Sequence, residues 1–174
     1  MAYHLLENNR QGALNLSQVL ELAMTQIGNC RQCRDYTEAD ICELCANEKR
    51  DKHTLCVVES PSDIAAIEGT SSFSGNYFVL MGNLSPLDGV GPEEIGLPAL
   101  LSLVQQNDVK EIIIATSATV EGDATAHFIK AMLSDTDAEA PAVTRLAQGV
   151  PIGGELGYLD HSTLSLSLAN RQNF

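Results

Sequence analysis

The sequence predicts an α/β fold, a mainly parallel sheet flanked by helices and preceded by a helix and a small metal-binding module. Three observations predict it. From residue 54 onward, short apolar runs of strand length alternate with amphipathic stretches of helical period, the pattern of right-handed βαβ crossovers and a sheet covered on both faces. Just upstream, four cysteines fall in two C-x-x-C pairs within a segment almost devoid of apolar residues. Before them, residues 15–27 place Leu16, Val19, Leu20, Ala23, Met24 and Ile27 on one stripe of a helix. The chain divides accordingly into residues 1–28 (helical), 29–53 (cysteine module), 54–150 (α/β domain) and 151–174 (C-terminal segment).

The first element reads as a helix end, AYHLLEN, followed by a turn over NNRQG and the amphipathic helix 15–27, whose stripe is expected to be packed. In the α/β domain the order is strand LCVVE, helix from Ser62 to Glu68, strand YFVLM and a Gly/Pro-rich loop over 82–92. Helix LPALLSLVQQN comes next with Pro98 in its first turn, then strand EIIIA, helix 124–133 and strand AVTRLA. After residue 150, GVPIGGELGYLD leads into a last helix or turn, STLSLSLAN. Chemistry in such sheets gathers outside the carboxyl ends of the strands.

In CRQCRDYTEADICELC, residues 30–45, Cys30, Cys33, Cys42 and Cys45 form two pairs separated by eight residues. A two-residue gap lets both sulfurs of a knuckle face one ion, and two knuckles complete a tetrahedron with Zn–S distances of about 2.3 Å. Between Asn29 and His53 the bulky apolar residues are Tyr36, Ile41 and Leu44, too few for a core, so bound zinc is expected to supply the folding free energy. Disulfides or free thiols are the competing account; the first twenty residues show no export signal, and a reducing compartment disfavours disulfides. Four thiolates close the coordination shell, which makes one zinc per chain structural. Cys56, inside a strand pattern, reads as a core residue, and His4, His53, His127 and His161 are scattered.

The 174 residues carry 10 Lys and Arg against 23 Asp and Glu, a formal net charge of -13. That sign opposes polyanion binding, which draws its affinity from cations displacing counterions along the phosphates. A nucleic-acid role then needs a local patch, assembly or a partner. Segment 31–53 offers no patch, because Arg31, Arg34, Lys49, Arg50 and Lys52 are interspersed with Asp35, Glu38, Asp40, Glu43, Glu48 and Asp51. No window approaches the ~18 apolar residues of a membrane span, and a cytoplasmic location is expected.

Three acids stand where chemistry gathers. Glu59 ends LCVVE ahead of SPSD, with Ser60 or Ser62 as helix caps, and Glu121 and Asp123 come after EIIIA in TSATVEGD. In a parallel sheet these points share one edge, so the acids could converge on a magnesium ion. Equally, an acid before a helix stabilises the positive end of its dipole, and Asp123 is a plausible N-cap for the helix 124–133.

A strand-ending Glu in VVESPSD, then a later strand followed by T-x-x-x-x-E-G-D, resembles the Toprim domain of topoisomerases, primases and some nucleases. Together with the cysteine module, GNLSPLDGVGPEEIG (82–96), TVEGDATA (119–126) and GVPIGGEL (149–156), the chain resembles the RecR family of bacterial recombination mediators over nearly its whole length. Catalytic Toprim sites add an Asp-x-Asp pair to the strand-one Glu to hold magnesium. Against that pattern Ser117 and Thr119 stand where the two Asp belong, and hydroxyls are poor ligands for a hard dication. The resemblance therefore implies no phosphoryl chemistry. RecR-like proteins share this loss, usually with Asn-Pro where Ser117-Ala118 stand here. It implies a homo-oligomeric clamp, assembled partly through the region 149–174, that acts with RecF and RecO to load the recombinase on gapped single-stranded DNA. Glu59, Glu121 and Asp123 become candidates for an acidic partner-binding surface, with the loop from Leu84 to Glu94 beside it. The alternative is a magnesium-dependent Toprim nuclease using the same three acids.

RecR-like chains open with a helix-hairpin-helix of LPGVGPKSA type that contacts DNA and helps close the ring. AYHLLENNRQGALNLSQVL corresponds to the family's segment on the carboxyl side of that hairpin; a misassigned start, a truncated gene and loss of the module are all open. DNA binding by the chain as given is expected to be weak or indirect.

Overall fold

The computed structural model describes residues 2–134 and 140–171; the last three residues of the C-terminal segment, 172–174, lie outside the described residues. Helices α1 (Ala2–Asn8) and α2 (Arg10–Gln26) are broken only at Asn9, whose side chain accepts the Gly12 N–H at 2.8 Å as an N-cap. The expected NNRQG turn is thus a single residue. The stripe on α2 is not packed: no residue of the helix is buried, and Val19 and Met24 are 61% and 78% exposed. Periodicity reports that a face is apolar, not that this chain covers it.

The cysteine module contains a two-residue antiparallel ribbon, β1 (Gly28–Asn29) with β2 (Tyr36–Thr37), and one turn of helix, α3 (Glu43–Ala46). The α/β domain continues as β3 (Asp51–Val58), α4 (Pro61–Glu68), β4 (Gly75–Val79), α5 (Leu97–Gln106), β5 (Glu111–Ala115), α6 (Val120–Ser134) and β6 (Ala142–Arg145). A short turn of 3-10 helix (Leu156–Tyr158) and α7 (His161–Ala169) close the chain. The boundary expected at 53/54 falls inside β3, because that strand starts at Asp51 and the module runs into it without a linker.

The four strands β4-β3-β5-β6 are all parallel, with Val57 registered between Phe78 and Ile114. Strand alternation sorts the core. Leu55, Val57, Phe78, Leu80, Ile112 and Ile114 face α5 and α6 through Leu97, Leu100, Val104, Ile129 and Leu133. Cys56, Val58, Tyr77 and Val79 face the opposite way, against Ile64 of α4, Phe73 and Leu44 of the cysteine module. Both faces are covered, as an all-parallel sheet requires. Cys56 is buried, as expected for a core residue, and burial pushes its thiol up to about 12.

Strand ends fall slightly short of the apolar runs. β3 stops at Val58, β4 at Val79 and β6 at Arg145, so Glu59 lies just past its strand. The larger correction concerns α6, which starts at Val120 and not at residue 124. Asp123 is therefore not its N-cap. Thr119 takes that place, its hydroxyl accepting the Gly122 N–H at 3.1 Å and its carbonyl the Asp123 N–H at 2.9 Å. At α4, Ser60 is the N-cap residue, and the Asp63 carboxylate accepts its backbone N–H at 2.8 Å.

Candidate functional site: metal centre and acidic sheet edge

The four thiols converge. One sulfur from each of Cys30, Cys33, Cys42 and Cys45 lies within 4.8 Å of all the others, and the first three residues are buried. Cys33 and Cys42 sulfurs are 3.5 Å apart, close to the ~3.8 Å edge of a tetrahedron with metal–sulfur bonds of about 2.3 Å. Backbone amides point at the sulfurs, from Cys42 to Cys30 at 3.3 Å and from Cys45 to Cys42 at 3.5 Å.

The ionisation pattern fits a cation site. Cys33 is drawn down to about 6, chiefly because it accepts the Cys45 thiol's hydrogen bond. Burial pushes Cys42 up to about 11, and Cys45 is raised by donating to Cys33 and by its own burial. A divalent ion would favour the ionised form of the thiols that it binds. The donor set thus fits a soft or borderline metal ion.

The acids at the sheet edge are arranged differently. Glu59 accepts two hydrogen bonds from the turn after β5, from the Ser117 amide at 3.1 Å and from the Ser117 hydroxyl at 2.5 Å. Asp123, in the first turn of α6, is ion-paired at 2.5 Å with Arg145 at the end of β6. Glu121 is exposed in the same turn. The three share one edge, but among the described residues the cysteines are the only group of three or more that gather their ligand atoms within 4.8 Å of one another.

Gly122 makes the close approach possible. A Cβ there would lie 2.1 Å from the Ser117 carbonyl oxygen and 3.1 Å from the Glu59 carboxylate, so any side chain would force α6 away from the turn. The Gly122 carbonyl in turn accepts the buried Thr116 hydroxyl at 3.0 Å. The loop expected to border this edge does so: the Gly82 N–H donates to the Glu59 carbonyl at 2.9 Å and the Leu84 N–H to the Thr125 hydroxyl at 2.9 Å.

Among models of known families, the Toprim domain matches residues 53–146, more than half of the chain, and the C-terminal region of RecR matches residues 149–172. The chain belongs to the Toprim family. With the RecR match directly downstream and the four-cysteine cluster upstream, it is a RecR-like Toprim protein. In this RecR-like chain the Toprim match begins within β3, so the cysteine module is joined to the Toprim sheet through a continuous strand.

Three arginines have partners that sequence reading did not assign. Arg145 brings a cation into the acidic edge. Arg50 grips Glu68 with two hydrogen bonds, at 2.7 and 3.0 Å, lies over the Tyr77 ring, and donates to the Gly75 carbonyl at 2.7 Å. Arg34 inserts between the module and the sheet. Two of the module's five cations, Arg34 and Arg50, are thus engaged inside the fold, and Arg31 is paired at the surface with Asp40 at 2.8 Å, which argues further against a phosphate-binding patch there. A lone Arg in an acidic segment carries no sequence signal of its partner; for Arg34, its place directly after a knuckle cysteine was the only hint.

Proposed function

We propose that this chain is a noncatalytic mediator of recombinational DNA repair, working with RecF and RecO partners in loading a recombinase at single-stranded gaps, its Toprim edge serving as a docking surface. One observation carries the noncatalytic part: two of the three carboxylates that the nuclease reading would offer to magnesium are already engaged. Glu59 is bound to Ser117 and Asp123 to Arg145. A guanidinium inside the cleft repels a dication, and a hydroxyl donating to Glu59 supplies no charge to bind one.

The RecR C-terminal match and the cysteine cluster support the mediator reading. In it, Cys30, Cys33, Cys42 and Cys45 hold one structural zinc per chain, whose closed shell leaves no position for a reacting water. Glu59, Glu121 and Asp123 present negative charge to a basic face of RecO, and contact with DNA comes through assembly and partners in a chain of net charge -13. Apolar side chains exposed on α2 and after residue 149, Ile152 and Tyr158 among them, support assembly of several copies.

Replacing Glu59 and Glu121 with Ala should weaken co-precipitation with RecO, more at low salt than at high. Unchanged binding at moderate salt would reject the acidic edge as the docking surface. Incubation with gapped and single-stranded DNA plus magnesium or manganese tests the catalytic rival, which cleavage abolished by Glu59→Gln would establish.

A further inference from the structure

Between β4 and α5 the chain makes a long excursion, from Leu80 to Gly96, along the edge that carries Glu59. Both ends of it meet one side chain. The Arg34 guanidinium donates from Nη1 to the Leu80 carbonyl at 3.2 Å and to the Ile95 carbonyl at 2.5 Å, and lies 5.7 Å over the Phe78 ring. A Cβ on Gly96 would lie only 2.0 Å from that Nη1. Gly96 also has φ +79, a left-handed conformation suited to glycine. The seat is thus shaped around the guanidinium.

Arg34 itself is placed by the first cysteine knuckle. It sits directly after Cys33 and has φ +68, a conformation a non-glycine residue leaves when nothing holds it. The knuckle holds it: the Arg34 N–H donates to the Cys30 carbonyl at 2.9 Å, the Arg34 carbonyl accepts Asn29 Nδ2 at 2.9 Å, and the Cys30 N–H donates to the Asp35 carbonyl at 2.7 Å. The Cys33 carbonyl also accepts the Val79 N–H at 2.8 Å, pairing the edge of β4. In a segment with so few apolar residues, a bound metal would add the main constraint that keeps these hydrogen bonds closed.

We infer that Arg34 is a positioning residue that couples the four-cysteine module to the 80–96 excursion, so that metal occupancy sets the order of the loop bordering Glu59. The path is continuous: metal closes the knuckle, the knuckle aims Arg34, and Arg34 ties the two ends of the excursion together. Beyond the clamp, Gly82 and Leu84 carry the order to Glu59 and to Thr125 of α6. This coupling concerns order within one chain and stands whether or not a partner docks at the acidic edge.

Hydrogen exchange on the full chain, with zinc bound and after chelation, tests it, with metal content measured in parallel. In the unmodified protein, chelation should raise amide exchange in 82–97 by about tenfold or more, the effect of losing two hydrogen bonds from a charged donor. Arg34→Ala should show that rise with zinc still bound, and chelation should then add less than about twofold. Arg31→Ala, in the same knuckle but paired only with Asp40, should leave 82–97 unchanged in the zinc-bound protein. Should Arg34→Ala fail to retain zinc, Arg34→Met provides the reading, since it keeps a long side chain and has no N–H to donate to the Leu80 and Ile95 carbonyls. Protection of 82–97 equal to the unmodified protein in zinc-bound Arg34→Ala or Arg34→Met would overturn the inference, as would a chelated protein whose module opens while 82–97 stays protected.

Discussion

In the cysteine module four thiols face one another within 4.8 Å, whereas at the carboxyl edge of the sheet three acids share a neighbourhood and two of them, Glu59 and Asp123, are turned to partners of their own. The contrast lies in what neutralises each group. Sulfurs of the module have backbone amides and one another, so four ionised thiols are intolerable without a cation. Glu59 and Asp123 have a hydroxyl and a guanidinium within the fold, and need no ion. Proximity of ligand-type residues is therefore a weak guide to a metal site; the charge left uncompensated by the protein is a better one.

The strongest way to break this contrast is to remove the metal ligands. Cys42→Ser, or chelation, should abolish binding of about one zinc per chain and expose the amides of residues 29–50 to exchange, because apparent binding free energies for structural zinc are on the order of 10 kcal/mol. Metal retained in Cys42→Ser but lost in Glu59→Gln would reverse the comparison.

Next in size is Gly122→Ala. The added methyl has no room beside the Ser117 carbonyl, so a loss of about 1–3 kcal/mol is expected in denaturant unfolding. Wild-type stability in this variant would mean that the close approach of α6 to the turn is not required.

Ser117→Asp sharpens the comparison directly. It replaces the donor to Glu59 with a like charge, and should cost about 1–3 kcal/mol at neutral pH, recovering in part when magnesium is added. The unmodified protein should show no magnesium-dependent change in melting temperature; a rise at millimolar magnesium would show that Ser117 and Arg145 do not satisfy the edge.

The smallest effect belongs to Glu68, an acid satisfied elsewhere. The Arg50 guanidinium, helped by the Tyr77 hydroxyl, holds its carboxyl below the usual carboxylate range. A depressed folded-state pKa contributes stability that is complete above the unfolded value and is lost as pH falls through the folded one. Glu68→Gln should thus be less stable than wild type by about 1 kcal/mol at pH 7, and the gap should close below the folded-state pKa. A gap that persists below that pKa would assign the effect to packing.

Legibility tracked range. The C-x-x-C pairs act over two intervening residues, and the structure gathers those same four sulfurs. The run EIIIA is β5 residue for residue, since a buried parallel strand needs only a continuous apolar run. The start of α6 lies four residues ahead of the expected one because Val120 to Asp123 carry no helical apolar signal; the helix begins there through Thr119 and through Gly122 seated against Ser117, a contact made only once the turn is folded. The α2 stripe was legible as apolar and illegible as packed, because the covering surface is not encoded by the helix's own period.

By itself, the sequence determined the α/β order, the four-thiol centre and the presence of hydroxyls at 117 and 119, all properties of residues close in the chain or of residue type. Tertiary structure alone decided that Ser117 binds Glu59, that Arg145 reaches Asp123 and that Arg34 ties the module to both ends of the 80–96 excursion. Those partners stand 58, 22 and 46 or 61 residues apart. A long side chain's choice among distant acceptors depends on where the packed sheet and helices place them, which no local spacing records.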